Sequence, residues 1–138
     1  MKQTIDMKLM RYLNLFEKIT KIRTNYCFDY NNVLIFIVPA NFVSRAIGEK
    51  GKNVKKLASL LRKKIKIIAF PEDETKIEKF IISIVEPAAF SSIEIGGEEV
   101  IISANRQNKA ILIGRNKARF NELDRILREV LNKKLKII

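Results

Sequence analysis

The sequence predicts an α+β fold made of two tandem copies of one unit. Each copy runs helix, strand, strand, helix, helix, strand, with a three-stranded sheet covered by helices. Three observations predict it. Apolar periodicity switches between helical stripes and short strand-like runs in the same order twice. A Gly48-Glu49-Lys50-Gly51 loop separates two amphipathic stretches in the first half, and Ile113-Gly114 follows Ile47-Gly48 at a distance of 66 residues. The segment KKIKII at 63–68 returns as KKLKII at 133–138, 70 residues later. The four extra residues are about one helical turn, which a longer helix can absorb with little rotation of its apolar face. The expected units are residues 1–71 and 72–138.

In the first copy, Thr4 is placed to cap a helix in which Ile5, Leu9, Tyr12, Leu13, Phe16 and Ile19 form one stripe, running to about Arg23. Residues 26–30 read as a strand, Asn31-Asn32 as a tight turn, and VLIFIV at 33–38 as a more buried strand stopped by Pro39. Asn41 is placed to cap a helix carrying Phe42, Val43, Ala46 and Ile47. Beyond the loop, Val54, Leu57, Ala58 and Leu61 repeat the helical spacing. Residues 64–70 alternate as a third strand before Pro71.

In the second copy, Thr75 and Glu78 suggest a capping box ahead of Ile77, Ile81, Ile84 and Val85, and Pro87 ends that helix. A hairpin follows at 91–95 and 100–104 around Gly96-Gly97. Asn105 is placed to cap a helix carrying Ala110 and Ile111. A long helix then presents Phe120, Leu123, Leu127, Val130 and Leu131, and 135–138 closes as a strand.

Composition narrows the function. Of 138 residues 47% are hydrophobic, enough for a folded core and too many for a disordered tail. The formal charge of +12 is unevenly spread: +3 over 1–44, +8 over 45–66, −6 over 67–99 and +7 over 100–138. Positive charge therefore gathers on the two helix-loop-helix regions, the pattern expected of surfaces that face a polyanion. A solvated lysine-rich surface is the plainer alternative. The single cysteine, Cys27, rules out an internal disulfide and suits a buried strand position in a reducing compartment. No apolar run is long enough to span a bilayer, and the N-terminus lacks a signal pattern, so the expectation is a cytoplasmic protein without membrane association.

Catalysis has little to work with. There is no histidine, no phosphate loop of the Gly-x-x-x-x-Gly-Lys-Ser/Thr type, and no partner that would activate Cys27. The run Glu72, Asp73, Glu74 could suggest a metal site, but adjacent carboxylates at a helix start fit the helix dipole better. No enzyme activity, cofactor or metal is expected.

The loop at 48–51 carries the positive expectation. Glycine at both corners allows left-handed torsions and lets another backbone approach without a Cβ in the way. The following helix directs its free N–H groups there, and Lys50, Lys52, Lys55 and Lys56 add charge. This order of parts resembles the K-homology (KH) domain of type II, whose Gly-x-x-Gly loop clamps the backbone of about four nucleotides beside an apolar groove for the bases. Over nearly the whole chain, NNVLIFIVP into AIGEKGKNVKKL, then EPAAFSSIEI and KAILIGRN, the sequence is similar to archaeal-type NusA transcription factors, which have two KH units in tandem. The resemblance implies a non-catalytic, single-stranded RNA-binding factor of transcription elongation or termination, with RNA polymerase as a candidate protein partner. A monomer is expected. A ribosome-associated or ribosome-assembly KH protein is the alternative.

The residues expected to bind RNA in the first unit are Arg45, Ile47, Gly48, Glu49, Lys50, Gly51, Lys52, Asn53 and Lys56. Helical spacing favours the core for Ile47 and Val54 over base contact. In the second unit they are Gly114, Arg115, Asn116, Lys117 and Arg119. Lys117 stands where the family pattern has its second glycine. A side chain there obstructs close approach and disfavours positive φ, so the second surface is expected to be weaker and mostly electrostatic. Aromatic stacking is not expected, since Phe42, Phe70 and Phe80 fall on apparent core faces. The acidic stretch 72–99 reads as solvated surface, with polymerase contact as the alternative.

Overall fold

The computed structural model describes residues 7–138 and shows an α+β chain with six α-helices and two three-stranded sheets among them. The chain divides into two compact units, the first ending at Glu72 and the second continuing from Asp73 to the C-terminus. The cap expected of Thr4 and the apolar position Ile5 lie outside the described residues. No helix among the described residues is long and apolar enough to cross a membrane.

In the first unit, α1 (Met7–Thr20) leads into strands β1 (Tyr26–Tyr30) and β2 (Val33–Val38). The helix ends three residues before Arg23 because Thr20 turns against it. Its hydroxyl donates to the Phe16 carbonyl at 2.8 Å and accepts the Ile22 N–H at 3.1 Å, while Lys21 adopts a φ of 63°. Asn31 and Asn32 take φ of 50° and 64°, the paired left-handed torsions of a two-residue turn that matches strand twist. This fixes Tyr30 opposite Val33. Strand β2 is the centre of its sheet, antiparallel to β1 and parallel to β3 (Lys64–Ala69), and five of its six residues are buried.

The core beneath the helices is what the apolar stripe of α1 supplies. Tyr12 and Phe16 are buried with Cys27, Leu34, Phe36, Ala46, Leu57 and Ile67, and Phe16 stacks on Phe36 at 4.4 Å between centroids. Burial pushes the Cys27 thiol far up, with Asp29 adding to the shift, so it stays protonated.

Short helices α2 (Val43–Ile47) and α3 (Lys52–Leu61) flank the loop. Asn41 does not cap α2. The chain leaves Pro39 through a single 3₁₀ turn, Ala40–Phe42, in which the Phe42 N–H donates to the Pro39 carbonyl at 2.9 Å, and no side chain caps the start. Helix α3 ends on Arg62 in the left-handed region.

The second unit repeats this order: α4 (Ile77–Val85), β4 (Ser92–Ile95), β5 (Glu99–Ser103), α5 (Arg106–Ile113), α6 (Ala118–Leu131) and β6 (Lys134–Ile137). Strand β5 is central, antiparallel to β4 and parallel to β6. Helix α6 has 14 residues against ten in α3, and its left-handed cap Asn132 corresponds to Arg62, so the four extra residues lie within the helix.

Four local details differ from expectation. Asp73, not Thr75, caps the turn before α4; its carboxylate accepts the Thr75 N–H at 2.9 Å and also the Thr75 hydroxyl, which holds its pKa below the usual range. On α5 it is Leu112 that is buried, whereas Ile111 is 51% exposed. On α6, Ile126 joins Leu123 and Leu127 in burial, while Phe120, Val130 and Leu131 are only half-buried. The β4–β5 connection spans three residues, 96–98, and neither glycine needs a left-handed torsion. The buried Lys133 ammonium instead donates to the Gly97 carbonyl at 2.9 Å and to that of Gly96. Asn105 caps α5 as expected, accepting the Asn108 N–H at 2.8 Å.

Glu129 on α6 yields a pH-dependent expectation. Burial raises its pKa, which Arg125 at 3.8 Å only partly offsets. A raised folded-state pKa means the native protein holds the proton more tightly than the unfolded chain. Its contribution is therefore fully present at acid pH and is lost as pH rises through the folded value. Glu129→Gln should raise the melting temperature at pH 7, with the gain shrinking toward pH 4; a gain equal at both would contradict an ionisation cause.

Candidate nucleic-acid interface

Each unit carries a four-residue loop between two helices, and both loops have the same backbone shape. Gly48 (φ 83°, ψ 164°) corresponds to Gly114 (75°, 170°), Lys50 (54°, 26°) to Asn116 (56°, 29°), and Gly51 (73°, 21°) to Lys117 (61°, 25°). The closing hydrogen bond is shared as well: the N–H of Gly51 donates to the Gly48 carbonyl at 3.0 Å, and that of Lys117 to Gly114 at 3.2 Å. Lysine at 117 disfavours this conformation without preventing it. The loop holds Lys117 in the left-handed region at a cost of about 1–2 kcal/mol.

The two glycines of the first loop have different reasons to be glycine. Gly48 and Gly114 occupy torsions open essentially to glycine alone. A Cβ at Gly48 would lie 3.0 Å from the Asn53 amide nitrogen, and one at Gly114 would lie 2.8 Å from Arg119 Cγ and 3.0 Å from its backbone nitrogen. Gly51 occupies torsions that Lys117 shows are accessible to another residue, and a Cβ there would meet nothing within 4 Å. Glycine at 51 therefore leaves open space above the loop, whereas Gly48 lets the helix behind it pack close.

Around the first loop, Arg45, Glu49, Lys50, Lys52, Lys55 and Lys56 are exposed, and Ile47, Gly48, Gly51 and Asn53 are half-buried. Ile47 and Val54 pack against the core, in line with their spacing. Arg45 lies over the Phe42 ring at 5.2 Å, and Asn53 reaches back to the Arg45 carbonyl at 3.5 Å. Among the described residues no ion pair engages Lys50, Lys52, Lys55 or Lys56, and Glu49 is the loop's one carboxylate.

The second unit distributes charge differently. Arg115, Asn116 and Lys117 are exposed on the loop itself. At the positions matching Lys52, Lys55 and Lys56, α6 has Ala118, Asn121 and Glu122. Arg119 packs over Gly114 and pairs with Glu122 at 2.7 Å, which makes it a support of the loop rather than an extended arm. Arg128 pairs with Asp124 at 2.8 Å, and the other Asp124 oxygen accepts the Leu135 N–H at 2.9 Å, tying α6 to β6. The three acidic residues of this segment thus pair with Arg119, Arg125 and Arg128 of α6, and the net +7, which already counts them, rests on the other basic residues, Arg115 and Lys117 of the loop among them.

A feature that periodicity missed lies at the end of the first sheet. Phe70, expected on a core face, is half-buried and lines an open cleft of about 270 Å³ with Tyr26, Ile37, Val38 and Pro39; the two rings are 5.5 Å apart. Among the described residues, no group of three or more His, Cys, Asp or Glu could hold a metal ion.

No protein-family model matches the chain, and no curated protein matches it. Among solved structures it is similar to one described as "Crystal structure of APE1850", with 26% identity, a TM-score of 0.63, and coverage of 97% of this chain and 100% of that one. The likeness extends through both units, and that description names no ligand, partner or activity.

Proposed function

We propose that the chain is a non-catalytic factor that holds single-stranded RNA on two KH units of type II, acting in transcription elongation or termination as archaeal-type NusA factors do. The observation that carries this reading is the first loop: a turn closed between Gly48 and Gly51, open above Gly51, and surrounded by Lys50, Lys52, Lys55 and Lys56, none of which makes an ion pair among the described residues. A phosphodiester backbone is the ligand that needs both properties, close approach and dense positive charge. The repeated order of elements supports a second such surface, and the inert Cys27 and missing histidine support a binding role over catalysis.

Two measurements test it. Binding of labelled single-stranded RNA should weaken steeply with salt, by about 0.7 in the log-log slope for each phosphate neutralised. A pull-down from cell extract should recover RNA polymerase; ribosomal subunits alone would replace the transcription reading with ribosome association, and no salt-dependent RNA binding would remove both.

A further inference from the structure

Two aromatic rings that the core does not absorb stand at the end of the first sheet. Tyr26 and Phe70 are half-buried, their centroids 5.5 Å apart and their planes tilted by 37°, and they line an open cleft of about 270 Å³. We infer that this cleft is a nucleobase slot: one base of the bound RNA stacks on the two rings, its phosphate meets Arg23, and an amino group on its edge donates to Glu72. The inference rests on the RNA-binding reading above and adds to it a contact that lies apart from both loops.

The backbone fixes both rings. Thr24 donates its hydroxyl to the Ile37 carbonyl and accepts the Tyr26 N–H at 3.1 Å, and the Phe70 N–H donates to the Val38 carbonyl at 2.7 Å. Tyr26 pairs with Ile37, which alternates with the core residues Phe36 and Val38, so these two project from the sheet face opposite α1, α2 and α3. The cleft is thus separate from the apolar groove that the KH resemblance implies beside the loop. It is smaller than the roughly 300–1,000 Å³ of drug-sized sites, with room for a ring and little more. Its rim has one residue of each sign: Arg23 and Glu72 are exposed, and among the described residues neither makes an ion pair. An apolar floor with a cation and a carboxylate matches the parts of a nucleotide, and a net charge of +12 favours a polyanion over a basic protein. The reach fits as well. Pro39 lines the cleft, and the chain from it through the 3₁₀ turn and α2 meets Gly48 nine residues on, about 14 Å at helical rise. Four clamped nucleotides cover at least that length, at about 3.4 Å each in a stacked strand. A carboxylate accepts hydrogen bonds and donates none, so the slot favours cytosine, with its amino group, over uracil, which puts a carbonyl in that place.

The test uses the whole chain and labelled oligocytidine and oligouridine of equal length. The wild type should bind oligocytidine roughly fivefold more tightly, the worth of about one net hydrogen bond. Phe70→Leu, which keeps apolar bulk and removes the π face, should weaken oligocytidine binding roughly tenfold, the loss of one stacked base, whereas Phe70→Trp should bind at least as well as the wild type. A packing role predicts the reverse order. Tyr26→Leu should repeat the loss, which keeps the test decisive if a variant at 70 fails to fold. Glu72→Gln should remove most of the preference for cytosine, because its amide also donates to a carbonyl. If the leucine variants bind both oligonucleotides as the wild type does, the base slot falls while the loop reading stands. Unchanged RNA binding with loss of polymerase from the pull-down would give the cleft to a protein side chain and overturn the inference in the same way. If the wild type binds neither oligonucleotide at low salt, the RNA-binding reading falls and takes the inference with it.

Discussion

Alanine at Gly114 will destabilise the second unit by about 2–4 kcal/mol, from forced torsions and from overpacking against a helix that cannot withdraw. The torsions of Gly114 exclude a side chain, and the neighbour that an added Cβ meets at 3.0 Å is the backbone nitrogen of Arg119, in the first turn of α6. Gly48→Ala should cost less, because the atoms in its way belong to the Asn53 and Lys52 side chains, which can turn aside. Gly51→Ala should cost about 1 kcal/mol, the strain of a left-handed torsion with no clash. Thermal unfolding of the three variants, with hydrogen exchange assigning each loss to its unit, checks the ranking. Equal losses at 51 and 114 would show that the two glycine positions do not differ as the torsions require.

That ranking marks a limit of what residues alone convey. A Gly-x-x-Gly pattern weighs its two glycines equally, and only torsions separate the one that lets helices pack from the one that leaves a surface open. Lys117 shows the same limit. Its intrinsic preference argues against a positive φ, but closure of the loop at both ends by hydrogen bonds and helix packing overrides a single-residue preference. Elements governed by a long pattern were legible: the stripe of Tyr12 and Phe16, the buried run at 33–38, the Asn31-Asn32 turn, and the extra turn of α6. Where several polar residues compete for one local task, the outcome depends on backbone geometry that composition does not carry. Asp73 displaced Thr75 as a cap, and Lys133, 36 residues away, holds the Gly97 carbonyl of a turn that seemed to need only its glycines. In α5, two apolar neighbours, Ile111 and Leu112, differed by one position in helical phase, and a helix of eight residues gives periodicity too few turns to choose between them.

Reversing the charge of Lys50 should produce the largest loss of RNA binding among single substitutions that leave the fold intact. Lys50 is exposed, makes no ion pair among the described residues, and stands at φ 54°, a torsion that aspartate tolerates better than most residues, so Lys50→Asp should melt close to the wild type. One charge about 4 Å from a phosphate is worth about 1 kcal/mol in water, so reversal removes one such attraction and adds one repulsion. Together these lower affinity roughly 30-fold at low salt, and the log-log salt slope should become shallower by about 0.7. Lys117→Asp should lose only several-fold, because at that position a side chain already separates the loop from the strand and screening weakens what remains. Measured side by side across a salt series, equal losses at 50 and 117 would mean that both loops contact RNA through charge alone, and the open space above Gly51 would then have no part in binding.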